Sequence, residues 1–121
     1  IPWVSDAPAY GFSPEGASWL PQPAEFAGFA RDVQEDDPDS TLWLYRTLLA
    51  ERRERALGAG ELEWLDGFGD DVMAFRNGGL TVVANTGTDA VTLPSGVVVA
   101  QSGPLAGDTL PADTAVWLAD A

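Results

Sequence analysis

The stretch VMAFRNGGLTVVAN, residues 72–85, decides the fold of this chain. Its two halves are rich in Val, Phe, Leu and Thr, residue types that favour extended strands. The intervening Asn77-Gly78 is a strong hairpin signal, because both central positions of a tight two-residue turn need positive φ. The sequence therefore predicts two antiparallel strands, residues 72–76 and 80–85, joined by a tight turn.

Short runs of similar composition lie on both sides of this hairpin. They cover residues 62–65, 90–93, 97–101 and 114–118. Turn-forming residues separate them, with TGTD at 86–89 and PSG at 94–96 as the next two turns. Six short strands at this spacing predict a small antiparallel β-sandwich over residues 61–121.

One long helix is predicted ahead of the strands, over residues 39–57. An apolar stripe recurs there at spacings of three, four and seven, through Leu42, Tyr45, Leu48, Leu49 and Ala56. Three arginines occupy the last turns, where cations suit the carbonyl end, and Gly58 is a natural stop.

An aromatic-rich loop is predicted over residues 1–38, since five prolines and two glycines before residue 24 interrupt any regular element. A loop with so many large rings is expected to pack against another surface rather than extend into water. The predicted fold class is therefore mainly β with one long α-helix, in which the loop and helix precede the sandwich.

Composition excludes several classes of function. The chain has 19 acidic and 6 basic residues, a net charge of −13, so nucleic acid and membrane surfaces are not expected partners. It contains no Cys and no His, which removes thiolate chemistry, disulfides and the commonest general base. The absence of Cys, of a signal peptide and of a membrane-length apolar run predicts a cytoplasmic protein.

The remaining polar residues offer weak candidates for chemistry. The acidic run at residues 32–39 could cap a helix or bind Ca²⁺, but it lacks the glycine and terminal glutamate of an EF-hand loop. Trp19, Trp64 and Trp117 could form a sugar-stacking platform, although packing in a core or loop is favoured. The carboxylates lie mainly in loops and at helix ends, which favours solvated surface over a catalytic pair.

The order of several short motifs resembles the C-terminal part of alpha-glucosidases of the alpha-amylase superfamily, glycoside hydrolase family 13, such as oligo-1,6-glucosidases. These motifs are IPW at 1–3, GFS at 11–13, SWLPQP at 18–23, DPDS at 37–40 and LYRTLL at 44–49. VMAFR at 72–76 and LTVVAN at 80–85 resemble the first strands of that family's C-terminal β domain.

This resemblance implies that residues 1–60 end a catalytic (β/α)₈ barrel and residues 61–121 form its β-sandwich domain. The parent would be a retaining α-glucoside hydrolase acting on short α-gluco-oligosaccharides. Its catalytic Asp, Glu and Asp would lie upstream of residue 1, so this part of the chain is expected to be non-catalytic and to bind no cofactor or metal. Trp3 and Ser5 would contact substrate at an outer subsite of the parent.

The implied partners are the upstream barrel of the same chain and the parent's oligosaccharide substrate. The apolar stripe of the predicted helix, having lost the barrel, is expected to fold back on the β domain or to pair with a second copy. Two other functions remain open at this point: the end of a trehalose synthase or related transglycosylase, and a carbohydrate-binding β module.

Overall fold

The computed structural model describes residues 1–120, which fall into two compact units. The first unit is Ile1–Arg46 and the second begins at Thr47. Within the described residues, no helix is both long enough and apolar enough to cross a membrane.

The first unit is largely irregular but contains several helical turns. Two 3₁₀ segments, Pro8–Gly11 and Ala24–Phe29, precede helix α1, Arg31–Asp36. Pro8 opens the first 3₁₀ segment and Pro23 directly precedes the second, positions that proline's fixed φ suits. The segment predicted as a loop is therefore partly helical, although no helical stretch in it exceeds six residues.

The prediction of one long helix over residues 39–57 is wrong, and so is the fold class that included it. The helix found there, α2, runs from Thr41 to Glu54 and has 14 residues. It starts late because Ser40 acts as the N-cap, its Oγ accepting from the Trp43 amide at 3.4 Å. It ends early because Ala56 adopts a left-handed conformation, with φ at 51°, before a 3₁₀ turn over Leu57–Ala59.

The described part of the second unit, residues 47–120, contains seven short strands in two antiparallel sheets, a β-sandwich-like arrangement. The larger sheet has the order β1-β2-β3-β7-β5, and β4 pairs with β6 in a separate sheet of two strands. Strand β6 lacks a counterpart among the predicted runs. The strands are β1 (Leu62–Trp64), β2 (Val72–Asn77), β3 (Leu80–Asn85), β4 (Val91–Thr92), β5 (Val97–Gln101), β6 (Thr109–Leu110) and β7 (Thr114–Ala119).

The β2–β3 hairpin is confirmed, with its turn one residue later than predicted. Asn77 pairs with Leu80 as the last rung of the ladder, so the two central residues are Gly78 and Gly79, at φ +56° and +77°. Positive φ at both positions is what a tight hairpin turn demands. A side chain at residue 78 would also collide with Leu57, so glycine serves packing there as well.

The hydrophobic core lies on one face of the five-stranded sheet. Antiparallel partners project to the same side, so the register places Ala74, Val83 and Val116 together on this core face. Leu110 from the small sheet completes the buried cluster with Leu118, and all five are at most 2% exposed. Half-buried side chains from the surrounding loops and strands pack around it: Leu65, Phe68, Val72, Val91, Leu93 and Leu105.

The opposite side of the same sheet, which we call the outer face, is also apolar. The register assigns to it Trp64, Met73, Phe75, Val82, Trp117 and Val97. On β3 and β7 most residues of this face are half-buried and alternate with buried core residues, but Leu80, at the start of β3, is fully buried. An antiparallel sheet commonly turns polar residues to its second face, whereas Asn77 is the one polar residue that the described register places on this one.

Candidate functional site

The start of the chain, where Trp3 and Ser5 lie, is held against the N-terminus of helix α1. The backbone carbonyls of Pro2 and Trp3 accept hydrogen bonds from the Arg31 and Asp32 amides, at 3.1 and 3.3 Å. The first amides of a helix have no partner within the helix, so these two carbonyls cap it. In the other direction, the Trp3 and Val4 amides both donate to the Tyr10 carbonyl, closing a compact loop.

Ser5 is fastened to α1 through Asp32. Its backbone amide donates to both carboxylate oxygens, at 3.1 and 2.9 Å, and its hydroxyl donates to Oδ2 at 2.9 Å. The Ser5 amide is the main reason that the pKa of Asp32 lies below its ordinary value, since these bonds favour the ionised carboxylate. In the structure Ser5 therefore anchors the loop, while its predicted contact with substrate remains untested.

Trp3 lies in a different setting, on the wall of an open pocket of about 430 Å³. The lining is mainly apolar, with three rings and two aliphatic side chains around a few polar groups. The residues are Ile1, Trp3, Phe29, Arg31, Gln34, Thr41, Leu42 and Tyr45. Ser5 does not line this pocket, so the two residues predicted to share a subsite face different surroundings.

The cations beside the pocket are paired. Glu35 accepts from the guanidinium groups of Arg31 and Arg46, both at 2.8 Å. The hydrogen bond from Arg46, the larger cause, and the one from Arg31 hold the pKa of Glu35 below its ordinary value. Arg46 also lies over the Trp43 ring, 5.0 Å from its centroid, and the Trp43 indole donates to the Glu35 carbonyl. This network fixes α1 to the first turns of α2 but leaves no unpaired arginine at the pocket within the described residues.

The chemistry open to these carboxylates is limited. A general acid in glycoside hydrolysis needs a carboxyl group whose pKa is raised, usually by an apolar setting. Asp32 and Glu35 have lowered pKa values because donors surround them, so both are suited to structural anchoring.

A second, smaller pocket of about 180 Å³ lies in the β unit, beside Asp70, Asp71 and Asp89. Its floor is organised by the buried Asn85, whose amide donates to the carbonyls of Asp89, Leu110 and Pro111. Asn85 Oδ1 accepts from the Gly87 amide, so this side chain is fully used in holding its loops. Over residues 1–120 no group of three or more acidic, histidine or cysteine side chains could hold a metal ion.

Two of the three tryptophans named as a possible sugar-stacking platform are exposed. Trp19 is 92% exposed and Trp64 is 62% exposed, so the expected burial holds for neither. Trp64 meets Phe75 edge-on, with ring centroids 5.7 Å apart and planes at 71°.

Sequence reasoning identified Trp3 but missed most of its pocket. Leu42 and Tyr45 carried a signal, because both belong to the apolar stripe predicted on the helix. Arg31 and Gln34 carried no such sequence signal, because their position at the pocket depends on α1, a helix too short to show periodicity. The Ser5–Asp32 contact spans 27 residues and has no local sequence signature.

Comparison with known proteins gives a likeness to a solved structure. No protein family matches the chain, and no curated protein matches it. Among solved structures, the alpha-amylase from H. orenii is similar, with 25% identity, a TM-score of 0.54 and coverage of 87% of this chain. The match spans only 25% of that alpha-amylase chain. It supports a C-terminal domain of the alpha-amylase superfamily and does not single out the oligo-1,6-glucosidases.

Proposed function

We propose that this chain is the non-catalytic C-terminal portion of a retaining α-glucoside hydrolase that acts on short α-gluco-oligosaccharides. In this proposal residues 1–60 end the catalytic barrel, residues 61–121 form the β domain, and the β domain stabilises the barrel. The fold likeness to an alpha-amylase, which extends over 87% of this chain, is the observation that carries the proposal.

The chemistry of the first unit supports the same assignment. The two carboxylates with perturbed pKa values are both held ionised by hydrogen-bond donors, which suits scaffold residues better than a catalytic acid. In this proposal the catalytic Asp, Glu and Asp belong to the upstream barrel, the proposed partner of this chain, as the resemblance implies.

The proposal gives Trp3 and Ser5 different parts in an outer subsite. Trp3 offers a ring that is 48% exposed on the wall of the apolar pocket, a surface on which a sugar can stack. Ser5 acts through Asp32, whose carboxylate its amide and hydroxyl hold. We therefore expect substrate contact from Trp3 and a positioning role from Ser5.

Assay of the longer polypeptide that contains this chain tests the proposal. It is expected to release glucose from maltose, isomaltose or an aryl α-glucoside, while residues 1–121 alone release none. Inactivity of the longer polypeptide on all three substrates would overturn the proposal, and so would turnover by residues 1–121 alone. Product analysis identifies a transglycosylase, because only hydrolysis yields free glucose stoichiometrically.

A further inference from the structure

The Asn77-Gly78 pair at the β2–β3 turn combines features that make an asparagine side chain chemically labile. Gly78 has no side chain to hinder the approach of its amide nitrogen to the Asn77 carboxamide carbon. The same amide donates no hydrogen bond to the backbone of residues 1–120, because Gly78 is a central residue of the turn. This nitrogen is therefore available to lose its proton and act as a nucleophile.

The Asn77 carboxamide is held by a single hydrogen bond. Its Nδ2 donates to the Leu57 carbonyl at 3.2 Å, while its Oδ1 is buried without a partner within residues 1–120. Asn85, the only other asparagine, is held by three carbonyls and one amide, and the bulkier Thr86 follows it. Local opening of the Leu57 contact is therefore sufficient to release the Asn77 side chain, whereas release of Asn85 requires its surrounding loops to separate.

Asn77 joins the hairpin to the segment that follows helix α2, residues 57–60, which we call the α2 exit. Leu57 is buried, and its side chain occupies the space that a side chain at residue 78 would need. A side chain at Gly60 would likewise collide with Asn77 Oδ1. The carboxamide therefore lies directly against the α2 exit and donates the hydrogen bond that ties it to the turn.

We propose that Asn77 is a site of spontaneous deamidation and that the carboxylate produced there releases the α2 exit from the hairpin. Hydroxide removes the Gly78 amide proton, and the nitrogen attacks Asn77 Cγ to form a new N–Cγ bond. The Cγ–Nδ2 bond then breaks, and ammonia leaves with a proton taken from water. A further water molecule opens the cyclic imide at either carbonyl and gives aspartate or isoaspartate at residue 77.

The product does not suit the place that Asn77 occupies. Deamidation replaces Nδ2 by an oxygen, so two acceptors would face each other where Nδ2 now donates to the Leu57 carbonyl. It also brings negative charge to the buried Oδ1, which has no donor within residues 1–120. Both effects favour separation of the α2 exit from the turn.

Peptide mass spectrometry of the chain, incubated in warm and mildly alkaline buffer, tests the modification. We expect Asn77 to convert to aspartate and isoaspartate at least about tenfold faster than Asn85, which is the internal control. A synthetic peptide of residues 72–89 contains both asparagines without the fold and gives their unprotected rates. Asn77 that stays intact in the chain while the peptide converts would overturn the proposal, and so would equal rates at the two asparagines of the chain.

Limited digestion with trypsin tests the release. Asn77→Asp reproduces one product, and Asn77→Ala is the matched control, because both variants remove the Nδ2 donor and only the first adds a charge. We expect cleavage after Arg55, next to the α2 exit, to be at least about fivefold faster in Asn77→Asp than in Asn77→Ala. Cleavage after Arg31, in the first unit, should not change. Equal cleavage after Arg55 in the two variants would overturn the proposal, as would equal acceleration after Arg31 and Arg55.

Discussion

Each of the two units of this protein is stabilised internally by a different kind of interaction. In the first, Ala30 and Ser40 are the buried residues, and the structure rests on hydrogen bonds to Asp32 and Glu35. In the second, a contiguous apolar cluster lies under the larger sheet. The stability of the first unit should therefore depend on pH and salt. The stability of the second unit should fall when a cavity is opened or a hydrogen bond is lost in its interior.

The largest effect should come from the core of the second unit. Leu110 is fully buried, so Leu110→Ala removes apolar contacts and leaves a cavity, at an expected cost of about 2–5 kcal/mol in the free energy of unfolding. Urea denaturation followed by circular dichroism measures this cost. Leu49→Ala, at a helix position that is 50% exposed, is the control and should cost less than about 1 kcal/mol. Equal costs for the two variants would contradict a core centred on the sheet.

A smaller loss is expected at Asn85, whose side chain joins three carbonyls and one amide. Asn85→Ala leaves these groups without their partner and should cost about 2 kcal/mol. Asn77→Ala is the matched control, because Asn77 makes one bond to the Leu57 carbonyl and its own Oδ1 has no partner. It should cost less than about 1 kcal/mol in the same denaturation assay. A reversed order would mean that Asn85 does not organise its loops.

The first unit should lose order in acid before the second. The pKa of Asp32 lies below its ordinary value of 3.8. A carboxylate of this kind stabilises the fold fully above the unfolded-state pKa, and the stabilisation is lost as pH falls through the lower folded-state pKa. Carboxyl NMR titration should therefore find the Asp32 pKa below 3.8 in the native chain and closer to 3.8 in Ser5→Ala. The shift should be partial, because the amide of residue 5 remains; an unchanged titration would show that the Ser5 hydroxyl does not contribute to the anchor.

The smallest effect concerns Glu35, whose ion pairs lie on the surface. Salt screens exposed pairs, so 1 M NaCl should raise the pKa of Glu35 towards its ordinary value of 4.5. The midpoint of urea unfolding for the second unit should not move with Glu35→Gln, since Glu35 and both of its arginine partners belong to the first unit. NMR titration at two salt concentrations measures the first effect, and a pKa independent of salt would indicate a buried pair.

The contrast between the units also explains what sequence could predict. The β2–β3 hairpin was predicted to within one residue, because its strands are rich in residues that favour extended structure and the Asn77-Gly78 signal adjoins the observed turn at Gly78 and Gly79. Strand β6 was missed, since two residues, Thr109 and Leu110, carry no periodic pattern. The pairing of β3 with β7 could not be predicted either, because it joins residues far apart in sequence.

The helix was predicted too long for a local reason. Arginines and Gly58 placed its end near residue 57, yet the backbone leaves the helix at Ala56, a residue with no intrinsic preference for positive φ. The candidate site was less predictable still. Trp3 was identified from a motif resemblance, but its neighbours come from α1 and α2 and depend on tertiary contacts.

The place of β7 in the sheet has a consequence for synthesis on the ribosome. This strand follows all the others in sequence, yet it lies between β3 and β5 and joins them. The β2–β3 hairpin can form as soon as it emerges, whereas β5 has no neighbour in the larger sheet until β7 arrives. Long-range pairing of this kind slows folding and leaves strand edges open during translation. The nascent chain is thus most vulnerable to aggregation between the emergence of β5 and that of β7.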